Sequence, residues 1–306
     1  MKGSHSRRRK FTKRDRMYLL MCLPALILIF LYSVLNKFGI VLAFKDFNYV
    51  DGIWDSRWVG LANFKYIVSS GDMLRAIKNT VIYQFAVTYI GMFVQLIIAI
   101  ALYMVSKKLA AKMQRIIMVP YFISMSSVAA IVYIFLRYDG GIVNAIFDML
   151  GKEPIAWYNT TSIWPALLVA IQLWWGAGIG CIYYYSGFLA IDSSLFEAID
   201  LDGGNWWHKI RYIMVPEIIP LLCLFGIRGM GSILASDLNL FLNVPRQSTA
   251  LIPVTDVIAT YEYRGLQMGS ISTTAALGVA VSIVSFILLH ATNTIIKKIN
   301  SDNSMY

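Results

Sequence analysis

Charge is what this chain has least of. Only 14% of its 306 residues are Asp, Glu, Lys or Arg, against 58% hydrophobic, and the mean hydropathy is +0.62. A soluble domain of this length could not bury so much apolar surface in one core, so a soluble fold is excluded. Cysteine is nearly absent. Cys22, Cys181 and Cys223 all fall in apolar stretches without metal-type spacing, which argues against a disulfide framework and leaves small core residues. The phosphate-cradling pattern G-x-x-x-x-G-K-[ST] is missing too: Gly151-Lys152-Glu153 lacks the upstream glycine and the hydroxyl. His208 and His290 stand isolated, and no Ser/His/Asp or paired-carboxylate constellation is visible. The chain reads as a non-enzyme with no metal and no cofactor of its own.

What is there instead is long apolar runs. Six segments are long enough to cross a bilayer, for which about 20 residues suffice: 17–44, 80–105, 116–137, 162–190, 217–236 and 268–296. In lipid the backbone must satisfy its own hydrogen bonds, so these are expected as helices. The alternating pattern of a barrel is absent. The first segment has a basic start, but it is longer than a signal-peptide core and has no A-x-A site, so it is kept as a helix. The expectation is an all-α polytopic membrane protein with six transmembrane helices. One membrane domain, 17–296, lies between a basic tail at 1–16 and a short tail at 297–306.

The charges that do occur are unevenly placed. The N-terminal tail, the 106–115 and 191–217 loops and the C-terminal tail hold 16 Lys/Arg against 7 Asp/Glu. The other loops (45–79, 137–161, 237–267) hold 9 against 10. The positive-inside rule then puts both termini and the 191–217 loop in the cytoplasm of a cell membrane. The net charge of +10 is thereby accounted for without nucleic acid. Arg7-Arg8-Arg9-Lys10, with Lys13, Arg14 and Arg16, reads as an anchor against anionic lipid. On the outer side, Trp54, Trp58, Phe64 and Tyr66 suit an interfacial segment, Asp139-Gly140-Gly141 signals a turn, and 237–267 shows no obvious helix start.

The 191–217 loop is the most specific feature. Asp192, Ser193 and Ser194 can cap a helix starting near Leu195, with Glu197 in its first turn. Gly203-Gly204 breaks that helix. A second helix, roughly Asn205 to Met214, presents Trp206, Trp207 and Ile210, and Pro216 then opens the next span. An ordinary amphipathic linker would also be helical, but it has no need of this spacing of Glu, Asp-Gly and Pro-x-x-x-Pro.

These residues resemble the hallmark of the inner-membrane permeases of binding-protein-dependent ABC importers, E-A-A-x-x-D-G-A followed by I-x-x-P-x-x-x-P. The chain reads Glu197-Ala198-Ile199, Asp202-Gly203-Gly204, then Ile213-Met214-Val215-Pro216 and Pro220. It departs at Ile199 and Gly204, where Ala is usual, and at Ile210, where an aromatic is common. The stretches Gly39–Phe47, Trp58–Phe64, Asp139–Gly141 and Asp256–Tyr261 resemble the carbohydrate branch, whose members import oligosaccharides. The resemblance implies that Glu197, Ala198, Asp202, Gly203, Gly204, Trp206, Ile213 and Pro216 form a coupling surface seated in a cytoplasmic ATPase. It also implies a second homologous permease, two ATPase subunits carrying the ATP and Mg, and an extracytoplasmic sugar-binding lipoprotein.

For the sugar path, aromatic and amide side chains in the spans are the candidates: Gln172, Trp174, Trp175 and Tyr184, with Asn239 and Tyr261 near the outer mouth. Packing or an interfacial belt is the bland reading of the same aromatics. Only Lys37 and Arg228 are charged inside apolar segments. Lys37 can snorkel outward. Arg228, flanked by Gly226, Gly229 and Gly231, either faces a cavity or opposed subunit or reaches the cytoplasmic interface. The rival is a proton- or sodium-coupled sugar carrier, which calls for a carboxylate at mid-membrane. All 17 acids can be assigned to loops, tails or helix ends.

Overall fold

A computed structural model describes residues 13–299. The Arg7-Arg8-Arg9-Lys10 cluster and the tail beyond residue 299 lie outside them. The first helix, α1 (Lys13–Leu35), ends earlier than the apolar run suggested. A 3-10 stretch, Asn36–Phe44, takes over and contains Lys37. Asn36 and Gly39 are poor helix residues, and hydropathy does not register that. None of the apolar span of α1 is buried by the rest of the chain.

A small antiparallel hairpin follows, an addition to the all-α expectation. In it β1 (Lys45–Asn48) pairs with β2 (Ser56–Trp58), Lys45 opposite Trp58. Lys45 is buried there and its Nζ donates to the Ile53 carbonyl at 3.0 Å. Then α2 (Gly71–Met104) begins at Gly71 rather than near residue 80, because Ser70 caps it and accepts from Met73 N. Its first turns are polar but still helical, braced by Arg75 on Asp72 at 2.8 Å.

The third apolar segment is not one helix. The expected 106–115 loop belongs to α3 (Lys107–Met118). A 3-10 turn, Val119–Phe122, then leads into α4 (Met125–Leu136), and the two halves are bent by 89°. Pro120 lacks an N–H, and Ser124 opens a fresh helix by accepting from Ser127 N at 3.2 Å. The twelve residues of α4 rise only about 18 Å, well short of the hydrocarbon core. The described residues thus contain five unbroken helices long enough to span, with the bent pair making a sixth.

The longest packing contact joins α2 to α5 (Trp164–Leu189). Glycines on α5 set its approach. A side chain at Gly178 would collide with the backbone of Ile117 and Met118, and one at Gly180 with the amide of Gln95. Next come α6 (Ser193–Leu201) and α7 (Trp206–Gly231), which carries a π-helical turn, Ile210–Met214. Pro216 thus opens the regular α-helical part of the span, Val215–Gly231, as its spacing suggested, while the helical path runs back through the π turn to Trp206. The wider π turn just before it accommodates a residue that cannot donate.

The outer segment 237–267 is far from irregular. Asp237 caps α8 (Leu238–Asn243), accepting from Asn239 N at 2.8 Å, and α9 (Ile258–Gln267) follows before α10 (Ile271–Ile299). Leu240, Phe241, Val244, Leu251 and Val257 share one core with Tyr83, Trp164 and Leu168, so this segment is part of the bundle. Asp256 is not a solvated loop acid. It is buried, paired with Arg264 at 2.6 Å and bonded by Thr260 at 2.7 Å.

Two outcomes follow from this packing. Gly178→Val forces α5 off the α3 backbone and should lower the melting temperature of the purified protein by several degrees, read by detergent-phase thermal unfolding. Glu262, half-buried on α9, has its carboxyl pushed above the ordinary carboxylate range by desolvation. The folded state holds that proton more tightly, so Glu262 favours folding below the unfolded value of about 4.3 and costs stability as pH rises through the raised one. Glu262→Gln should therefore stabilise the protein near pH 8, with the gain vanishing near pH 4 in a melting series.

Candidate functional site

The candidate docking surface is built around α6. Asp192 caps it, accepting from Ser194 N at 3.0 Å, and the same donor holds the Asp192 carboxyl below its usual range. The helix starts at Ser193, so Glu197 lies in its second turn rather than its first. Phe196 fastens the helix to the membrane bundle. It is buried with Ile213, Met214 and Ile218, and its ring centroid lies 5.5 Å from that of Tyr103 at the end of α2. The return is fixed by Asn205, which accepts from Trp207 N and His208 N, while His208 Nδ1 accepts from Asn205 N at 3.2 Å. Lys209 pairs with Asp200 at 2.6 Å. Among the described residues no cluster could hold a metal ion, and His208 is used as a cap.

Glu197, Ala198, Asp202, Gly203 and Trp206 are exposed, beside Leu201 at 88% and Trp207 at 64%. Pro216 is exposed as well, at the side of α7. Ile213 is not; it belongs to the core under α6, where it positions the surface without forming part of it. Gly203 adopts φ +74°, a backbone that favours glycine, with open space where a side chain would stand. The crowded position is Gly204, where a methyl would meet the Ile199 side chain and stand 2.9 Å from the Ile199 carbonyl oxygen. The two places where the hallmark has Ala are thus in contact, and Ile199 fills the volume that a methyl group on Gly204 would need. Phe196 and Asn205 escaped the sequence reading; the phase of Phe196 opposite Glu197 and the Asn-x-x-His spacing were their signals.

Between them, α2, α5 and α7 border an open-sided cavity of about 430 Å³. Gln172, Trp175, Tyr184 and Arg228 all line it, together with Thr88, Gln95, Tyr121, Tyr183 and Ser232. Trp175 also closes the broken span: its indole Nε1 donates to the Ile123 carbonyl at 3.0 Å, and its ring lies 4.8 Å from that of Tyr121. Gln172 Oε1 and Tyr184 Oη are buried without a partner among the described residues. Arg228 lines this cavity as an exposed residue in the last turn of α7. A second cavity, of about 400 Å³, shares Tyr121 and Trp175 and extends to Ser124, Ser126 and Asn239.

Trp174 and Tyr261 fall elsewhere. Trp174 is half-exposed outside either lining, and Tyr261 lines a separate outer cavity of about 560 Å³ with Arg75, Asp256 and Arg264. Thr88 and Gln95 were missed although each is a polar residue in an apolar span, the signal that such positions usually give. Tyr121 could not be placed without the bend.

Comparison with known proteins gives a consistent result. The family described as binding-protein-dependent transport system inner membrane component matches residues 95–300. Protein LplB of Bacillus subtilis (strain 168) is 28% identical over 95% of this chain and 91% of its own length. The polygalacturonan/rhamnogalacturonan transport system permease protein YteP of the same organism is 29% identical over 96% and 91%. Among solved structures, a bacterial ABC transporter involved in the import of the acidic polysaccharide alginate superposes with a TM-score of 0.84 at 26% identity, covering 94% of this chain and 97% of that one.

The Ile199–Gly204 contact yields a double-mutant test. Gly204→Ala alone should destabilise α6 and its return by about 1–3 kcal/mol through overpacking. Adding Ile199→Ala should recover about 1 kcal/mol of that loss, not all, because the Ile199 carbonyl remains in the way. Hydrogen exchange of the 193–205 amides reads both, and strictly additive effects would refute the contact.

Proposed function

This chain belongs to the binding-protein-dependent transport system inner membrane components, and from that premise we propose how it works as the carbohydrate permease of an ATP-driven importer. Six spans put both termini on the cytoplasmic side with α6. Exposed Glu197, Ala198, Asp202, Gly203 and Trp206 seat α6 in a cleft of an ATPase subunit, and Gly203 keeps the docking face free of a side chain. ATP and Mg belong to that subunit, so this chain hydrolyses nothing and holds no cofactor.

The observation that carries the reading is mechanical continuity between the two sites. Phe196 ties α6 to Tyr103 on α2 and to Ile213 and Met214 on α7. The same two helices line the polar cavity and touch where Gly229 meets Thr88. A displacement of α6 on ATP binding therefore moves α7 against α2, with the π turn and Pro216 as the compliant point, and switches the cavity between faces of the membrane. Trp175, Tyr121 and Tyr183 offer ring faces to a pyranose, and Gln172, Gln95 and Tyr184 offer partners to its hydroxyls.

One such chain encloses only half of a path. The apolar span of α1, unburied by its own chain, packs on a second, homologous permease. Two ATPase subunits and an extracytoplasmic sugar-binding lipoprotein complete the importer, the latter delivering an oligosaccharide to the outer loops. The described lining of the α2–α5–α7 cavity contains no carboxylate, so nothing there supports proton or sodium coupling.

Affinity purification of the tagged chain in mild detergent should recover a second permease, an ATPase and a binding lipoprotein. Gly203→Asn is the discriminating variant, since Asn tolerates a positive φ and this chain leaves room for it. It should insert and fold normally yet lose most of its ATPase in the pull-down. Full ATPase retention with normal sugar uptake would refute the docking assignment.

A further inference from the structure

Arg228 is the single charged residue in the described lining of the α2–α5–α7 cavity. The ion pairs among described residues are Asp72–Arg75, Asp200–Lys209 and Asp256–Arg264, and none involves Arg228. It sits thirteen residues past Val215, where the regular part of its span begins. That is about 20 Å along the helix and within its last turn before Gly231, and the residue is exposed. The carbonyls at a helix C-terminus favour a cation there, and the exposed guanidinium stays open to an anion entering the cavity. Buried Gln172 Oε1 and Tyr184 Oη, both without a partner among the described residues, line the same cavity. The cavity thus presents a fixed positive charge, hydrogen-bonding groups for hydroxyls and aromatic faces, with no negative charge of its own to neutralise the first.

We infer that the transported sugar is acidic, a uronate-bearing oligosaccharide whose carboxylate pairs with the Arg228 guanidinium as it passes. This rests on the permease reading above and adds the charge of the substrate. The planar guanidinium suits a carboxylate held by two parallel N–H bonds, a geometry that an ammonium does not reproduce. A neutral oligosaccharide would leave the charge unanswered and gain nothing from it. The rival anion is an acidic side chain of the second permease, and the test separates the two.

The complete importer, reconstituted in proteoliposomes with its binding lipoprotein, is assayed for sugar-stimulated ATP hydrolysis. The probes are trimers of galacturonate, mannuronate and glucuronate-substituted xylose, each beside its carboxyl-reduced, neutral form. The expected result is stimulation by an acidic trimer and not by its neutral form. Arg228→Gln should lower that response by about tenfold or more, the loss of one charge-assisted contact, with the four-component complex still intact on size exclusion. Arg228→Lys should retain part of it. Equal stimulation by neutral and acidic forms, or an unchanged acidic response in Arg228→Gln, overturns the inference. So does an assembled complex that answers to no acidic trimer. Loss of the second permease from the Arg228→Gln complex also overturns it, by assigning the charge to a contact between subunits. Failure of the wild-type chain to assemble with an ATPase would instead refute the permease reading itself.

Discussion

The indole N–H of Trp175, 3.0 Å from the Ile123 carbonyl, is the contact on which the interior of this protein depends. A helix cannot be broken in lipid unless something else satisfies its backbone. Pro120 and Ser124 break the third span, and Trp175 from α5 takes up a carbonyl that the break sets free. With that bond in place the chain can turn by 89° between α3 and α4 and leave polar space beside α5 where a straight helix would have filled it. Tyr121, its ring near that of Trp175, is carried into the cavity wall by the same turn. One side chain thus closes the bend and lines the space that the bend creates.

The second constraint is close approach. Gly178 and Gly180 let α5 lie against the α3 backbone and the Gln95 amide, and Gly229 lets α7 meet Thr88. Between membrane helices there is little hydrophobic gain to draw on, so packing at small residues supplies the attraction. These contacts make α2, α5 and α7 a connected set of levers. Phe196, set into one end of that set, makes a short exposed helix a handle for it. Burial of Ile213 and Met214 under α6 explains why the stretch before Pro216 matters although it is not itself a docking surface.

The end of the bundle opposite α6 is held differently, by paired and hydrogen-bonded polar groups. Asp256 places its charge against Arg264, its carbonyl accepts from Asn79, and Tyr83 donates to the Val254 carbonyl at 2.6 Å. The 237–267 segment is therefore clamped to α2 and to the core at Trp164. A segment clamped in this way keeps a fixed shape, whereas Arg228 has no ion-pair partner among the described residues.

Much of this was written in the sequence, because some physical requirements are local. Apolar length forces a spanning helix, and Glu197, Asp202, Gly203 and Pro216 mark a helical loop whose turn needs a positive φ. Other requirements are met only across the fold. Hydropathy could not report that 116–137 is bent, that Asp237 starts a helix, or that Ile213 faces inward, since each depends on what another segment supplies. Likewise, Gln172, Trp175, Tyr184 and Arg228 were recognisable as residue types suited to a sugar. Their convergence on one cavity, and the departure of Trp174 and Tyr261 from it, were decided by how α2, α5 and α7 pack, because helix phase and close approach set which side of a helix meets which neighbour.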